Sequence, residues 1–229
     1  MTDQLYNGLL LVDKPVGISS FDVIRQLRRI THWRKIGHAG TLDPAASGLM
    51  LMLFGPACKQ AQAYSKLDKR YRAEITLGKT SSTGDREGEL TKVSDRVPTQ
   101  AEVEAALAQL TGEIIQTPPA YSAIKIHGQE AYKRVRAGEV VDMPSRTVQV
   151  YENHLLAYAY PMVQLECRVS SGTYIRTLAA DLGDLLQTGA YLSALKRTEV
   201  GEYSLVEAVQ LEDLTPSTIH QALLPSTMQ

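Results

Sequence analysis

The sequence predicts an α+β fold in which helices flank a mixed, mostly antiparallel sheet. Stretches with apolar residues at helical spacing are interspersed with stretches of alternating apolar and polar residues, and no regular βαβ repeat is present. Apolar residues make up 44% of the 229 residues, enough for a sizeable core, and the 21% of charged residues argues against disorder. Neighbouring strands of this kind pair as hairpins, which favours antiparallel pairing.

Three helices are predicted, two from a cap together with an apolar face and the third from its apolar face alone. The first begins at Ser19 or Ser20 and carries Phe21 on its apolar face. The second begins with the capping box Thr99-x-x-Glu102. The third covers Tyr174–Leu186, where the apolar residues again recur at helical spacing.

Strands are predicted where side chains alternate between apolar and polar. The clearest is Tyr71–Leu77, and two more are Thr147–Tyr151 and Met162–Ser170. The polar, turn-rich segment Lys79–Val97 is predicted to be a long loop or an extended hairpin.

Composition excludes several classes of protein. The two cysteines, Cys58 and Cys167, form no C-x-x-C motif, which argues against a disulfide scaffold or a zinc module. The uncharged stretch Pro44–Cys58 is too short to span a bilayer, and the N-terminus has no signal-peptide pattern. We therefore expect a soluble, cytoplasmic protein.

The overall charge of −1 hides an uneven distribution. No Lys or Arg follows Arg197, whereas Val23–Leu42 contains no acid and five of the basic residues, Arg25, Arg28, Arg29, Arg34 and Lys35. Such a cluster either binds phosphate groups or forms a solvated helix face, and charge alone leaves both interpretations open.

Candidate chemistry is densest in Lys35–Gly48, where glycines bracket His38 and Asp43. A carboxylate on such a loop is accessible to a ligand, although Asp43 is also typical of a turn or a helix cap. His38 suits a base, a ligand, a stacking surface or a turn. Arg176, at the start of a predicted helix, pairs with a carboxylate or faces water. Neither a P-loop nor G-x-G-x-x-G is present, so no nucleotide cofactor is expected.

Six segments of the chain form a recognisable series: Gly8–Ser20 (GLLLVDKPVGISS), Lys35–Met50 (KIGHAGTLDPAASGLM), Asp68–Gly78 (DKRYRAEITLG), Thr117–Tyr132 (TPPAYSAIKIHGQEAY), Ser170–Gly183 (SSGTYIRTLAADLG) and Tyr191–Gly201 (YLSALKRTEVG). Taken in this order, they resemble the TruB family of tRNA pseudouridine synthases. The pieces G-T-L-D-P and G-T-Y-I-R-T are highly specific. The resemblance implies the pseudouridine synthase fold.

The resemblance also implies an isomerase that converts uridine to pseudouridine at position 55 in the T loop of tRNA. The reaction breaks the N-glycosidic bond, turns the freed uracil and rejoins it through carbon 5. It needs neither metal nor organic cofactor. By the family pattern Asp43 is the essential carboxylate, and two roles remain open: attack on the anomeric carbon, or removal of a ribose proton to give a glycal.

Further roles carry over one residue at a time. Arg176 is expected to pair with Asp43, and Asp85 to orient the Arg176 guanidinium. Tyr71 is expected to stack on the target base and to serve in the final proton removal. Tyr174 and Leu195 are expected to line the uracil pocket. His38 is expected to help to hold the flipped-out bases of the T loop. Lys14 and Tyr121 are expected either to support the fold or to contact the RNA.

The resemblance predicts a catalytic domain over residues 1–201. Many family members carry a PUA RNA-binding domain after it, whereas residues 202–229 form a short acidic extension, so a short form without that domain is expected. The expected partner is tRNA through its T stem-loop. We expect the chain to act as a monomer, without a guide RNA and without a membrane.

Three other functions compete with this one. The first is a tRNA-folding chaperone with dispensable catalysis, which the presence of Asp43, Tyr71 and Arg176 does not favour. The second is an RNA-guided subunit resembling dyskerin, which relies on a PUA domain and protein partners. The third is a glycosidase, for which no motif nominates a second carboxylate.

Overall fold

The computed structural model describes residues 6–122, 124–126 and 128–226. The ends of the predicted catalytic domain and C-terminal extension, residues 1–5 and 227–229, lie outside the described residues, as do Ala123 and His127 of the family-like segment Thr117–Tyr132. The N-terminal part of the signal-peptide prediction falls on the first of these ranges.

The fold is α+β, as predicted. In chain order, the strands are β1 (Gly8–Lys14), β2 (Ile36–Ala39), β3 (Ala46–Phe54), β4 (Lys69–Leu77), β5 (Lys79–Ser81), β6 (Leu90–Lys92), β7 (Gly112–Gln116), β8 (Lys125–Ile126), β9 (Gln129–Glu130), β10 (Arg146–Ala159), β11 (Met162–Val169), β12 (Ala190–Val200), β13 (Tyr203–Ser204) and β14 (Val209–Gln210). The α-helices are α1 (Ser20–Thr31), α2 (Ala61–Ser65), α3 (Gln100–Gln109), α4 (Ala131–Arg136), α5 (Ile175–Leu185) and α6 (Pro216–Ala222).

The chain divides into two compact units. Unit 1 comprises the described residues up to Arg72 and from Leu195 onward, and unit 2 comprises Ala73–Ala194. Strands β4 and β12 each have residues in both units.

The sheet of unit 1 is mixed. Strand β3 pairs with β1 and β2 in antiparallel fashion and with β12 in parallel fashion, and β1 also pairs in parallel with β14. Every residue of β3 from Gly48 to Phe54 is buried. A strand with no solvated face is apolar throughout, which explains why its sequence does not alternate.

Unit 2 is built on antiparallel pairing. Strand β10 lies between β7 and β11 and pairs with both in antiparallel fashion. In β11 the residues Val163, Leu165, Cys167 and Val169 are buried and alternate with more exposed neighbours. Helix α3 packs against β10 and α5, so that one face of this sheet is covered. The segment Lys79–Val97 forms the hairpin β5–β6, one of its two predicted forms.

The predicted helices are confirmed, with one correction. Ser19 caps α1 and Thr99 caps α3, each within a capping box, and α5 begins directly after Tyr174. Phe21, however, was predicted on the apolar face of α1 and is 55% exposed. The buried face of α1 instead includes Val23, because helical spacing alone allowed either residue to face the core.

Candidate active site

Asp43 lies at the start of a tight turn between β2 and β3. The Ala46 amide donates a hydrogen bond of 3.0 Å to the Asp43 carbonyl, which closes a four-residue turn. Asp at the first position and Pro44 at the second are favoured in such turns, because proline fixes the required backbone angle. The turn leaves the Asp43 side chain half-buried rather than enclosed.

The main chain on both sides of Asp43 is tied to the first residue of α1 and to the segment that precedes this helix. Ser20 Oγ accepts a hydrogen bond from the Leu42 amide and donates one to the Leu42 carbonyl, both at 2.9 Å. On the other side, the Gly17 amide donates to the Pro44 carbonyl at 2.8 Å. Asp43 is thus flanked by residues whose backbone positions are fixed.

Arg197 holds the beginning of the same loop. Its guanidinium is buried and donates from Nε to the Leu49 carbonyl at 2.7 Å and from Nη2 to the Gly40 carbonyl at 3.1 Å. Gly40 has a φ of +84°, and a Cβ there would lie 3.4 Å from Arg197 Nη1. Glycine therefore suits both the left-handed backbone and the close approach of the guanidinium.

Two buried lysines also belong to unit 1. Lys14, at the end of β1, donates to the carbonyls of Pro15 at 2.9 Å and Ile18 at 2.8 Å, which is consistent with a role in the fold. Lys69 donates to the carbonyls of Ser65 and Leu67, both at 2.5 Å. Burial, with a further contribution from the Arg197 charge, lowers the pKa of Lys69 to about 8.

His38 lies on β2, directly opposite Met52 of β3. Burial, followed by the charge of Arg197, lowers the pKa of His38 below its usual value, so that the neutral imidazole predominates at neutral pH. Its buried Nδ1 has no hydrogen-bond partner within the part of the chain that the structure describes.

Tyr71 and Leu195 occupy strands of unit 1. The Tyr71 side chain is 8% exposed and lies on the inward face of β4. Leu195 is half-buried and pairs in register with Ala46, the residue that closes the Asp43 turn. The turn and the predicted pocket residue Leu195 are therefore neighbours across two parallel strands.

Unit 2 contains the predicted arginine, Arg176, in the first turn of α5. Its Nη1 lies 3.5 Å from Asp85 Oδ2, and both side chains are less than one-tenth exposed. The guanidinium also donates to the carbonyls of Thr83 at 3.0 Å and Tyr121 at 2.8 Å. The contact with Asp85 has the form expected from the resemblance. The pairing of Arg176 with Asp43 and the catalytic roles of these residues stay predictions.

The start of α5 is held by a side chain that no sequence motif marks. Gln116 is 1% exposed; its amide oxygen accepts from the Tyr174 N–H at 3.1 Å, and its amide nitrogen donates to the Tyr174 carbonyl at 3.3 Å. The Arg146 guanidinium lies 5.1 Å from the centre of the Tyr174 ring. These contacts fix both the backbone and the ring of Tyr174.

Ser20, Arg197 and Gln116 were not predicted as site residues. Ser20 was predicted only as a helix cap, and Gln116 carried no motif. The sequence did not distinguish Arg197 from a surface charge, because the charged residues Lys196 and Glu199 lie beside it in the same strand. Within residues 6–122, 124–126 and 128–226, no three His, Cys, Asp or Glu side chains gather closely enough to hold a metal ion. None of the helices in the described ranges has the length and apolar character needed to cross a bilayer.

Two family models together match nearly all of the chain from residue 28 onward. The model described as "TruB family pseudouridylate synthase (N terminal domain)" matches residues 28–175. The model described as "tRNA pseudouridylate synthase B C-terminal domain" matches residues 176–226.

Curated relatives carry the same description. A "tRNA pseudouridine synthase B" of Burkholderia mallei (strain NCTC 10247) is 44% identical over 218 residues, which cover 95% of this chain and 72% of that protein. A protein of the same name from Opitutus terrae (strain DSM 11246 / JCM 15787 / PB90-1) is 43% identical over 223 residues, which cover 96% of this chain and 92% of that protein.

Solved structures share the fold. A chain in a Cbf5–Nop10–Gar1 complex superposes with a TM-score of 0.75 at 27% identity, covering 97% of this chain and 61% of that chain. A chain in an H/ACA RNP bound to a substrate RNA containing 2′-deoxyuridine gives 0.73 at 26% identity, covering 96% and 59%. The present chain thus spans about three fifths of these solved chains.

Fold and matches together define a pseudouridine synthase. The chain belongs to the TruB family of pseudouridylate synthases.

Proposed function

We propose that this chain converts uridine to pseudouridine at position 55 in the T loop of tRNA, acting as a monomer in the cytoplasm without a guide RNA. The observation that carries the proposal is the 44% identity to a tRNA pseudouridine synthase B across 95% of the chain. The alignment covers 95% of the chain and runs through both compact units, so that the segments of Asp43, Tyr71 and Arg176 lie within it.

The proposed reaction is an isomerisation in which atoms balance without a co-reactant. The bond between ribose carbon 1′ and uracil N1 breaks, uracil turns, and carbon 5 bonds to carbon 1′. Carbon 5 then loses its proton and N1 gains one. The Asp43 carboxylate starts the reaction by one of two routes. It attacks carbon 1′ and forms an ester that breaks when carbon 5 attacks the same carbon, or it takes the proton from carbon 2′ to give a glycal and returns that proton when carbon 5 bonds to carbon 1′.

A half-buried carboxylate on a fixed turn suits either route. The tied backbone on both sides of Asp43 limits how far the carboxylate moves, and a nucleophile or base held near the reacting atom lowers the entropic part of the barrier. Asp43 is partly exposed, as access of a nucleotide flipped out of its loop requires.

Other residues are assigned to the flipped nucleotide. The Tyr71 ring stacks on the uracil, and base–aromatic stacking of about 1–3 kcal/mol offsets part of the cost of unstacking. Tyr174 and Leu195 line the uracil pocket, and His38, neutral at physiological pH, holds neighbouring flipped bases. Arg176 keeps Asp43 ionised through its positive charge.

The exposed basic face of α1 is assigned to the tRNA backbone. Arg25, Arg28 and Arg29 are exposed there, followed by Arg34 and Lys35. Arginine and lysine contacts to phosphates fix the position of an RNA without reading its sequence. Selectivity for the T arm then comes mainly from the shape of the folded loop.

The test is one incubation of purified chain with an unmodified tRNA transcript and, separately, with its T stem-loop, followed by carbodiimide mapping. We expect pseudouridine at position 55 of both RNAs with no other RNA or protein added. A product that forms only after a guide RNA or protein partner is supplied would support an RNA-guided subunit. Promotion of tRNA folding with no pseudouridine would support a chaperone.

A further inference from the structure

Two neighbouring serines at the start of α1 make hydrogen bonds to different parts of the chain. Ser19 caps the helix, accepting a hydrogen bond of 3.2 Å from the Asp22 amide. Ser20, in the first position of the helix, makes no contribution to this capping box. Its hydroxyl instead makes hydrogen bonds to the backbone of Leu42, which lies 22 residues later in the sequence.

The Ser20 hydroxyl makes both of the hydrogen bonds that a neighbouring strand would offer to Leu42. It accepts from the amide and donates to the carbonyl at 2.9 Å each, and both residues are 3% exposed. Loss of the hydroxyl leaves a buried N–H and a buried C=O without these partners, and unsatisfied buried groups force the backbone to move.

Asp43 follows Leu42 directly. Because Pro44 is tied to Gly17 at 2.8 Å, the Ser20 bonds complete a set of contacts that fix the backbone before and after the carboxylate, one to the first residue of α1 and one to the segment preceding it. A displacement of about 1 Å of a catalytic group lowers the rate by about a hundredfold.

We infer that Ser20 is a positioning residue for Asp43, which sets the carboxylate in its reactive place through the backbone of Leu42 and touches no substrate itself. The inference rests on the proposed function, and it assigns to the Ser20 hydroxyl a role in the rate of the chemical step rather than in the binding of RNA.

The experiment compares wild type, Ser20→Ala, Ser20→Thr and Ser19→Ala in single-turnover reactions on T stem-loop RNA, below the melting temperature of every variant. We expect Ser20→Ala to lower the rate constant by about 10- to 100-fold while the Kd for RNA changes less than about twofold. Ser20→Thr keeps the hydroxyl and stays within about threefold of wild type. Ser19→Ala, the matched control in the same turn, lowers the melting temperature and leaves the rate unchanged.

Hydrogen exchange of the Leu42 amide supplies a second readout independent of catalysis. We expect faster exchange in Ser20→Ala but not in Ser19→Ala. If Ser20→Ala does not fold, Ser20→Cys, which keeps the volume but bonds weakly, is measured by the same criteria.

The outcomes separate the two proposals. Ser20→Ala that reacts at the wild-type rate, in an assay where wild type is active, overturns this inference alone. A rate loss that appears equally in Ser19→Ala also overturns it, because the effect then follows helix stability. Inactive wild type overturns the proposed function and this inference with it.

Discussion

The Arg176 guanidinium and the Asp85 carboxylate form a buried ion pair, with Nη1 of the arginine 3.5 Å from Oδ2 of the aspartate. Asp85 is itself fixed, because its Oδ1 accepts from the Thr83 hydroxyl at 2.6 Å and from the Glu87 amide at 3.0 Å. Both charges are therefore held in place by neighbours within unit 2. An arginine held in this way is oriented before any substrate arrives.

Replacement of Asp85 by asparagine is expected to destabilise the protein by about 3 kcal/mol. The change keeps the shape of the side chain and removes the negative charge, so that the ion pair between Asp85 and the buried Arg176 guanidinium is broken. Urea denaturation measures the loss. The control is Asp95→Asn, whose partner Lys92 is 63% exposed and whose own side chain is 86% exposed; it should change stability by less than about 0.5 kcal/mol. Equal effects of the two substitutions would contradict the assignment of a buried pair.

The substitution Gly48→Ala is expected to lower the free energy of unfolding by at least about 3 kcal/mol. Gly48 lies opposite Arg197 in the parallel pairing of β3 and β12, and a Cβ would lie 2.2 Å from the Arg197 carbonyl oxygen. Since that oxygen belongs to the backbone, the strands must separate. Gly138 also has a positive φ, +84° against +105° at Gly48, but a Cβ there would meet no atom within 4 Å. Thermal unfolding of Gly138→Ala should therefore show a stability loss of only about 1 kcal/mol. Similar losses for both would mean that the strands adapt.

Much of this fold follows from local sequence rules, and the exceptions have physical causes. Helices α1 and α3 were predictable because a cap and an apolar stripe agree in each, and α5 was predictable from its apolar stripe alone. Strands β1 and β3 were not, because a strand buried on both faces gives an apolar run without alternation.

The candidate site was predicted mainly from its motifs, which mark Asp43, His38 and Arg176. Among the residues that contact these motifs, Asp85 was named from the resemblance, whereas Ser20, Arg197 and Gln116 were not predicted to do so. The partner of Ser20 is 22 residues away and that of Arg197 is 157 residues away, and no local rule reports contacts at such separations. Gln116 gives no signal in a single sequence for the same reason.

Lys69 is expected to make stability increase between about pH 8 and pH 10.4. Its pKa is about 8 in the folded chain and about 10.4 in the unfolded chain, so that the unfolded state binds more protons in this interval and a rise in pH favours folding. The gain is about 2 kcal/mol after allowance for solvent screening. Urea denaturation across this interval should show that gain in wild type relative to Lys69→Met. Parallel pH profiles for the two proteins would contradict a depressed Lys69 pKa.

RNA binding is expected to weaken as salt rises, and two arginines of α1 should contribute to the slope. Replacement of Arg28 and Arg29 by alanine removes two exposed charges and should lower the slope of log K against log salt by about 1 to 2. The control replaces Lys59 and Lys92 by alanine; both lysines are exposed, so the control removes the same number of positive charges from the surface. Filter binding at several salt concentrations measures both slopes. If both double variants reduce the salt dependence of RNA binding by the same amount, the basic face of α1 has no particular role in binding RNA.

The central claim is that the Asp43 carboxylate carries out the chemistry, and release of tritium from tRNA labelled at uracil carbon 5 tests it most directly. Carbon 5 loses its hydrogen only when it bonds to the ribose, so that each release reports one completed isomerisation. Wild type should release tritium from position 55, and Asp43→Asn should be slower by at least about a thousandfold, with unchanged tRNA binding and melting temperature. Release by Asp43→Asn within about tenfold of wild type would contradict the claim.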